Sequence, residues 1–170
     1  MTRELAIGAR GRFRGERFII KGKMGLRHSS GVVWEEWYAR FEGGRDGWIA
    51  LTDDGPEIMV TFGVPWPPEF ASLHEGDALV PAFFVTETGR ARYHSAEGKL
   101  PFEPPIGESY RYADLEAPTG EFGTLDYSED PPLLFIGQHA TLADLHLDPS
   151  PRAASRTSPL KSSPPRRGAT

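Results

Sequence analysis

The densest chemistry in the chain is Trp34-Glu35-Glu36-Trp37-Tyr38, two carboxylates set among three aromatic rings. In an extended strand alternate side chains share a face, which sets Trp34, Glu36 and Tyr38 against Val33, Glu35, Trp37, Ala39 and Phe41. One of the two glutamates must therefore face an aromatic-rich side. A carboxylate among rings is desolvated and its pKa rises, which is how a general acid or a cation-binding site can be made. The ordinary alternative is that Glu36 pairs with a Lys or Arg on a wet face and that Glu35 does the same at a sheet margin.

Three more acidic residues lie near aromatic or imidazole groups: Asp114 in Tyr110-Arg111-Tyr112-Ala113-Asp114, Asp126 in Thr124-Leu125-Asp126-Tyr127, and Asp144 two residues before His146. Convergence of Glu36 with Asp126 would suit a hydrolase in which one acid gives a proton while the other stays charged. Asp144 with His146 is the one carboxylate and imidazole that could share a strand face. For Asp114 and Asp126 turn chemistry is the ordinary reading, because Asp ends strands by bonding its own backbone.

The rest of the catalytic repertoire is missing from the sequence. The chain has no Cys, and its five His never form a compact ligand pair, so neither a thiol nucleophile nor a metal centre is expected. There is no Gly-x-Ser-x-Gly elbow, phosphate loop or dinucleotide fingerprint, and no cofactor is implied. The aromatics offer a second use, as a wall that receives a peptide or a ligand cation, against the plain role of core filler for Trp34, Trp37, Trp48 and Trp66.

The elements that must hold these residues read as strands. Gly and Pro punctuate the chain at short intervals, and the segments between them alternate or are rich in β-branched and aromatic residues. Gly8 to Glu16 reads as a short strand and tight turn. In Arg17 to Arg27, Phe18, Ile20, Met24 and Leu26 fall on one face with Gly22, opposite Lys21, Lys23 and Arg27. Strands at Val32–Glu42, Trp48–Thr52 and Ile58–Phe62 follow as an antiparallel meander. Gly63-Val64-Pro65-Trp66-Pro67-Pro68 breaks the pattern as a linker, with one helical turn at Glu69–Leu73. Beyond it, Ala78–Thr86 is apolar on both faces and suits a buried central strand. Ala91–Ser95, Tyr110–Leu115, Gly123–Tyr127 and Leu133–Ile136 come next. In Ala140–Leu147 a Thr141–Asp144 capping box competes with a strand alternation, and the strand is preferred. The expected fold is all-β: a meander of about ten short strands in two half-sheets, about 5–63 and 76–147, forming a sandwich or partly open barrel.

Charge divides the chain in two. Residues 149–170 hold five basic residues and no acidic one, so the formal net charge of -5 leaves -10 on residues 1–148. That acidic body disfavours nucleic acid as its partner. The tail is rich in Pro and Ser and carries one large apolar residue, Leu160, so it is expected to be disordered. Contact with an anionic membrane, an RNA or an acidic surface is its functional option, and a solvated extension with no specific role is the plain one. No apolar run is long enough to cross a bilayer and the start lacks a signal-peptide pattern, from which a cytoplasmic location is expected.

The Gly-rich opening hairpin, Trp34-x-Glu36-Trp37-Tyr38, Gly98-Lys99-Leu100-Pro101 leading into Asp114-Leu115, and Thr124-Leu125-Asp126-Tyr127 followed by Phe135-x-Gly137 resemble, in that order, a bacterial family of β-rich domains of unknown function. The similarity covers roughly residues 5–147. It implies a non-enzymatic accessory module, often carrying a Cys-rich zinc ribbon and encoded near phage-shock-type coiled-coil proteins, small membrane proteins and polyamine-synthesis-like enzymes. This chain has no Cys, so a role resting on the ribbon does not carry over. The family's signature marks Glu36, whereas simple parity puts Glu35 on the apolar face, and one β-bulge would reconcile the two.

These readings combine in one expectation, a non-enzymatic interaction module in which Trp34, Glu36, Trp37, Tyr38, Asp126 and Tyr127 form an aromatic and acidic groove for a protein partner in a complex linked to membrane stress. The alternatives are a polyamine-like cation in the same groove, or a carboxylate-dependent hydrolase.

Overall fold

In the computed structural model the described residues are 5–52, 57–64 and 83–149. The chain opens with a hairpin of β1 (Arg10–Phe13) and β2 (Glu16–His28). Its two-residue turn, Arg14-Gly15, has φ of 49° and 83°, the pair of positive angles that matches the twist of a tight hairpin. β3 (Val33–Phe41), β4 (Asp46–Thr52) and β5 (Glu57–Val64) continue the meander. β6 (Phe84–Gly98), β7 (Ser109–Glu116), β8 (Glu121–Asp126) and β9 (Leu133–Thr141) form the second half.

All pairings are antiparallel, in the order β1-β2-β3-β4-β5-β9-β8-β7-β6, and β6 pairs back onto β2. The two expected half-sheets are thus joined along both margins, by β5–β9 and by β2–β6, into one closed eight-stranded barrel with β1 as an extra strand. The long β2 makes closure possible, since the edge that carries β1 over residues 16–19 carries β6 over 22–28. Among the described residues no helix is long and apolar enough to cross a membrane.

One irregularity decides which side chains point inward. The β2–β3 register slips between Ile20 and Gly22, leaving Lys21 as an extra residue. Phe18 and Ile20 therefore pack with Trp37, Ala39, Phe41 and Ile49 on one side of the wall, under β1 and the segment ending in Leu145 and Leu147. Met24 and Leu26 instead join Tyr38, Trp48 and Tyr93 on the other side. The single apolar face expected for this strand is in fact two faces, because a bulge inverts the alternation beyond it. Gly22 is required there: a Cβ would lie 2.6 Å from the Lys99 carbonyl oxygen.

Two further expectations change. Ala140–Leu147 is not one strand: β9 ends at Thr141 and a 3-10 turn, Leu142–Leu145, follows. The Thr141 N–H and hydroxyl both donate to Asp144 Oδ2 at 2.8 Å, so local capping wins over the alternation. The described end of Ala78–Thr86 is not buried, since Phe84 is 63% exposed. Here β6 overhangs the barrel with β7 on one edge only, and it runs on unbroken through Ala91–Ser95. Residues 78–82, the Pro-rich linker with Trp66, the turn at Glu69–Leu73 and the tail beyond Pro149 lie outside the described residues.

Candidate functional site

A cavity of about 1350 Å³ is lined by residues from every strand of the barrel, from Met24 on β2 round to Phe135 on β9 and Tyr93 on β6, which places it in the barrel interior. Eight strands enclose about the space that side chains fill or one small ligand occupies. Eight carboxylates line it, together with Arg45, Arg90 and Arg111; three of the acids, Glu36 on β3, Asp114 on β7 and Asp126 on β8, come from different strands and have their pKa raised by burial.

Glu36 stands between Met24 of β2 and Ala50 of β4 in the ladder, neighbours that offer no charge. Trp34 Nε1 donates to its Oε1 at 3.0 Å. Burial pushes its pKa up to about 7; the Trp34 hydrogen bond opposes this, and the charges of Asp126 and Asp114 add to it. Asp114, in mid-strand opposite Glu87 and Thr124, is raised to about 6, by burial first and by Glu87 as a like charge, against a hydrogen bond from Thr124. Asp126 is raised by burial too, while the Ser128 N–H, donating at 2.7 Å, holds it back. Among the described residues none of the three forms an ion pair.

Aromatic rings fill the space between these acids. Tyr93 and Tyr110 lie 5.0 Å apart, and Trp34 meets Tyr112 edge-on at 6.2 Å. Burial raises the Tyr93 hydroxyl to about 12 and drives Tyr110 higher still, with Glu36 and Asp126 both adding to the rise at Tyr110. These phenols stay neutral near pH 7 and serve as hydrogen-bond donors beside the carboxylates. Three acids in raised-pKa settings, with ring faces and edges between them and no protein cation paired to any, suit a positively charged guest. Among the described residues no three His, Asp or Glu are grouped to hold a metal ion, so the carboxylates are spread along the wall.

The structure brings Trp34, Glu36, Asp126 and Tyr127 to one cavity and separates Trp37 and Tyr38 from them. Trp37 lies on the opposite side of the wall in the outer core, its Nε1 buried without an acceptor and its ring 5.0 Å from Lys23 Nζ. It is a core filler, because adjacent residues of a strand point to opposite faces. Tyr38 is on the inner side but spends its hydroxyl on Asp46 Oδ1 at 2.6 Å and packs against Trp48. Tyr127 is half exposed at the cavity mouth. The ordinary pairing expected of the two glutamates holds for Glu35, bonded to Lys23 at 3.1 Å, and fails for Glu36. Asp144 and His146 lie outside the cavity, with Asp144 engaged at the cap.

Sequence reasoning passed over Tyr93, Tyr110 and Tyr112 and treated Asp114 as a turn residue. The Tyr110-x-Tyr112-x-Asp114 alternation carried the signal, since all three share one strand face. Asp126 serves two ends: it closes β8 through Ser128 and lines the cavity.

A family model described as a domain of unknown function, DUF4178, matches residues 6–141, which span the barrel from before β1 to the end of β9. No curated protein and no solved structure matches the chain.

Proposed function

This chain belongs to the DUF4178 family of domains of unknown function, and we propose that it is a non-enzymatic binding module whose barrel interior receives a small organic cation of the polyamine kind. The observation that carries the reading is Glu36: a carboxylate enclosed by the barrel, hydrogen-bonded to an indole and without an ion pair among the described residues. An ammonium group entering the cavity would supply the missing charge, while Trp34, Tyr93 and Tyr110 offer it ring surfaces. The acidic and aromatic groove expected from the sequence is thereby an interior, which favours a small molecule over a protein segment. A bacterial origin and a link to membrane stress enter the proposal as what the resemblance implies, and a cytoplasmic location as what the sequence pattern leads one to expect; a protein partner is the reading that the small-molecule proposal replaces.

Calorimetry with spermidine tests it. Heat of binding at millimolar ligand, lost in a folded Glu36→Gln variant, is the expected result; no heat from the wild-type protein would overturn it. A carboxylate-dependent hydrolase is a second reading, favoured by Glu36 and Asp126 lining one cavity, the first pushed toward the protonated state near neutral pH. It requires turnover of a bound substrate, whereas the binding reading requires that ligand be recovered unchanged after long incubation.

A further inference from the structure

A second grouping of charge lies on the barrel wall beside the cavity, whose rim it shares at Arg90, Arg111, Val32 and Tyr127. Arg27 of β2 stands directly opposite Arg92 of β6, and Arg90 of β6 directly opposite Arg111 of β7. Residues opposed across antiparallel strands share a face, as do residues two apart on one strand, so the four arginines leave the wall on one side. That side is opposite to the one taken by Tyr110, Tyr112 and Asp114, which alternate with Arg111 on β7. All four arginines are exposed. Among the described residues none of them forms an ion pair; Arg92 donates from Nε to the Gly107 carbonyl at 2.6 Å. Like charges directly opposed in a ladder repel one another, so this arrangement gains stability from an anion outside the chain. The outward carboxylate of neighbouring β3, Glu35, is already bonded to Lys23.

Exposed apolar groups surround the patch. The Tyr127 N–H donates to the Arg111 carbonyl at 2.9 Å, extending the β7–β8 pairing one step past Asp126 and setting Tyr127 on the arginine side, 50% exposed. Val32, 52% exposed, sits in the β2–β3 turn, where the Ser29 N–H reaches the Arg90 carbonyl at 3.3 Å. Ile106, 56% exposed, precedes the Gly107 that accepts from Arg92. We propose that this face docks the protein on an anionic lipid surface, with Arg27, Arg90, Arg92 and Arg111 on the phosphates and Tyr127, Val32 and Ile106 at the headgroup boundary. Cations beside an amphipathic ring and aliphatic tips are what such a boundary takes up. A nucleic-acid backbone would use the arginines and leave the aliphatic tips without a role. The acidic charge of the rest of the body is no obstacle, since a flat surface meets one face of the barrel only.

Sedimentation of the full chain tests this with vesicles of phosphatidylcholine alone and of phosphatidylcholine with an equal part of phosphatidylglycerol. The expected result is binding to the anionic vesicles only, weakened by salt. Arg90→Ala with Arg111→Ala should lower it by roughly five-fold per arginine removed. Ile106→Ser should weaken it while keeping the same salt dependence. Wild-type protein that ignores both vesicles overturns the proposal. So does a double variant, folded by circular dichroism, that sediments like wild type. Retention of an RNA oligonucleotide that depends on Arg90 and Arg111, without vesicle binding, overturns it in favour of a nucleic-acid surface.

Discussion

On the outer side of β3, Glu35 is partly exposed and bonded to Lys23 at 3.1 Å; one residue further on, Glu36 faces the barrel interior with an indole N–H as its partner and a pKa raised to about 7. The two side chains are chemically identical and adjacent in sequence. Their difference is made by the wall between them, which gives one a counter-ion and sets the other, half-buried in the interior, beside an indole and no cation. The same wall sorts the aromatics: Trp37 is packed into the outer core with Ile49 and Val60, while Trp34 lines the cavity. Folding free energy is concentrated on the outer side and ligand chemistry on the inner one.

Substitutions can break that contrast at several strengths. The largest effect is expected at Ile49, fully buried in the outer cluster. Ile49→Ala should cost about 3 kcal/mol in urea unfolding while spermidine binding by the folded fraction is kept. A loss of binding with little loss of stability would contradict the division.

Next comes Glu36→Gln. Because the folded pKa, about 7, lies above the ordinary value of 4.5, the folded state holds the proton more tightly than the unfolded one. The stability this gives is fully present below pH 4.5 and is lost as pH rises through 7. The Gln variant, which cannot ionise, should therefore exceed wild type by about 1–3 kcal/mol at pH 8 and by little at pH 4, read from urea midpoints. Equal midpoints at pH 8 would show that Glu36 is better solvated than its position indicates.

Trp34→Phe removes the hydrogen bond that opposes this shift, so the wild-type loss of stability should move to higher pH. The smallest change is expected for Glu35→Gln, whose partly exposed pair with Lys23 should be worth under about 0.5 kcal/mol. A larger cost would mean that the outer ion pair is structural after all.

Much of the fold was legible because it is local. The Arg14-Gly15 hairpin and the meander through β5 follow from turn residues and alternation. Closure was not legible, since the β2–β6 and β5–β9 pairings join residues far apart in sequence. Nor was the slip at Lys21 fixed by any residue type; it turned one expected face of β2 into two, while Trp37 lies outside the site because it alternates with Glu36 on β3. Glu36 could be named because its aromatic neighbours are adjacent, and the resemblance marked it. Asp114 could not be preferred to a turn reading until β7 was seen to run past it to Glu116. At Thr141 and Asp144 both signals were visible, and the local cap prevailed over the alternation.

The most direct measurement is calorimetric titration of the full chain with spermidine near pH 6.5, repeated in buffers of different ionisation heat. A cation that binds beside Glu36 favours its ionised form, so binding below the pKa of about 7 should release a proton. The expected result is net proton release in the wild type that disappears in Glu36→Gln. Binding with no proton release, or release that survives in the variant, would contradict the assignment of Glu36 as the carboxylate that receives the cation.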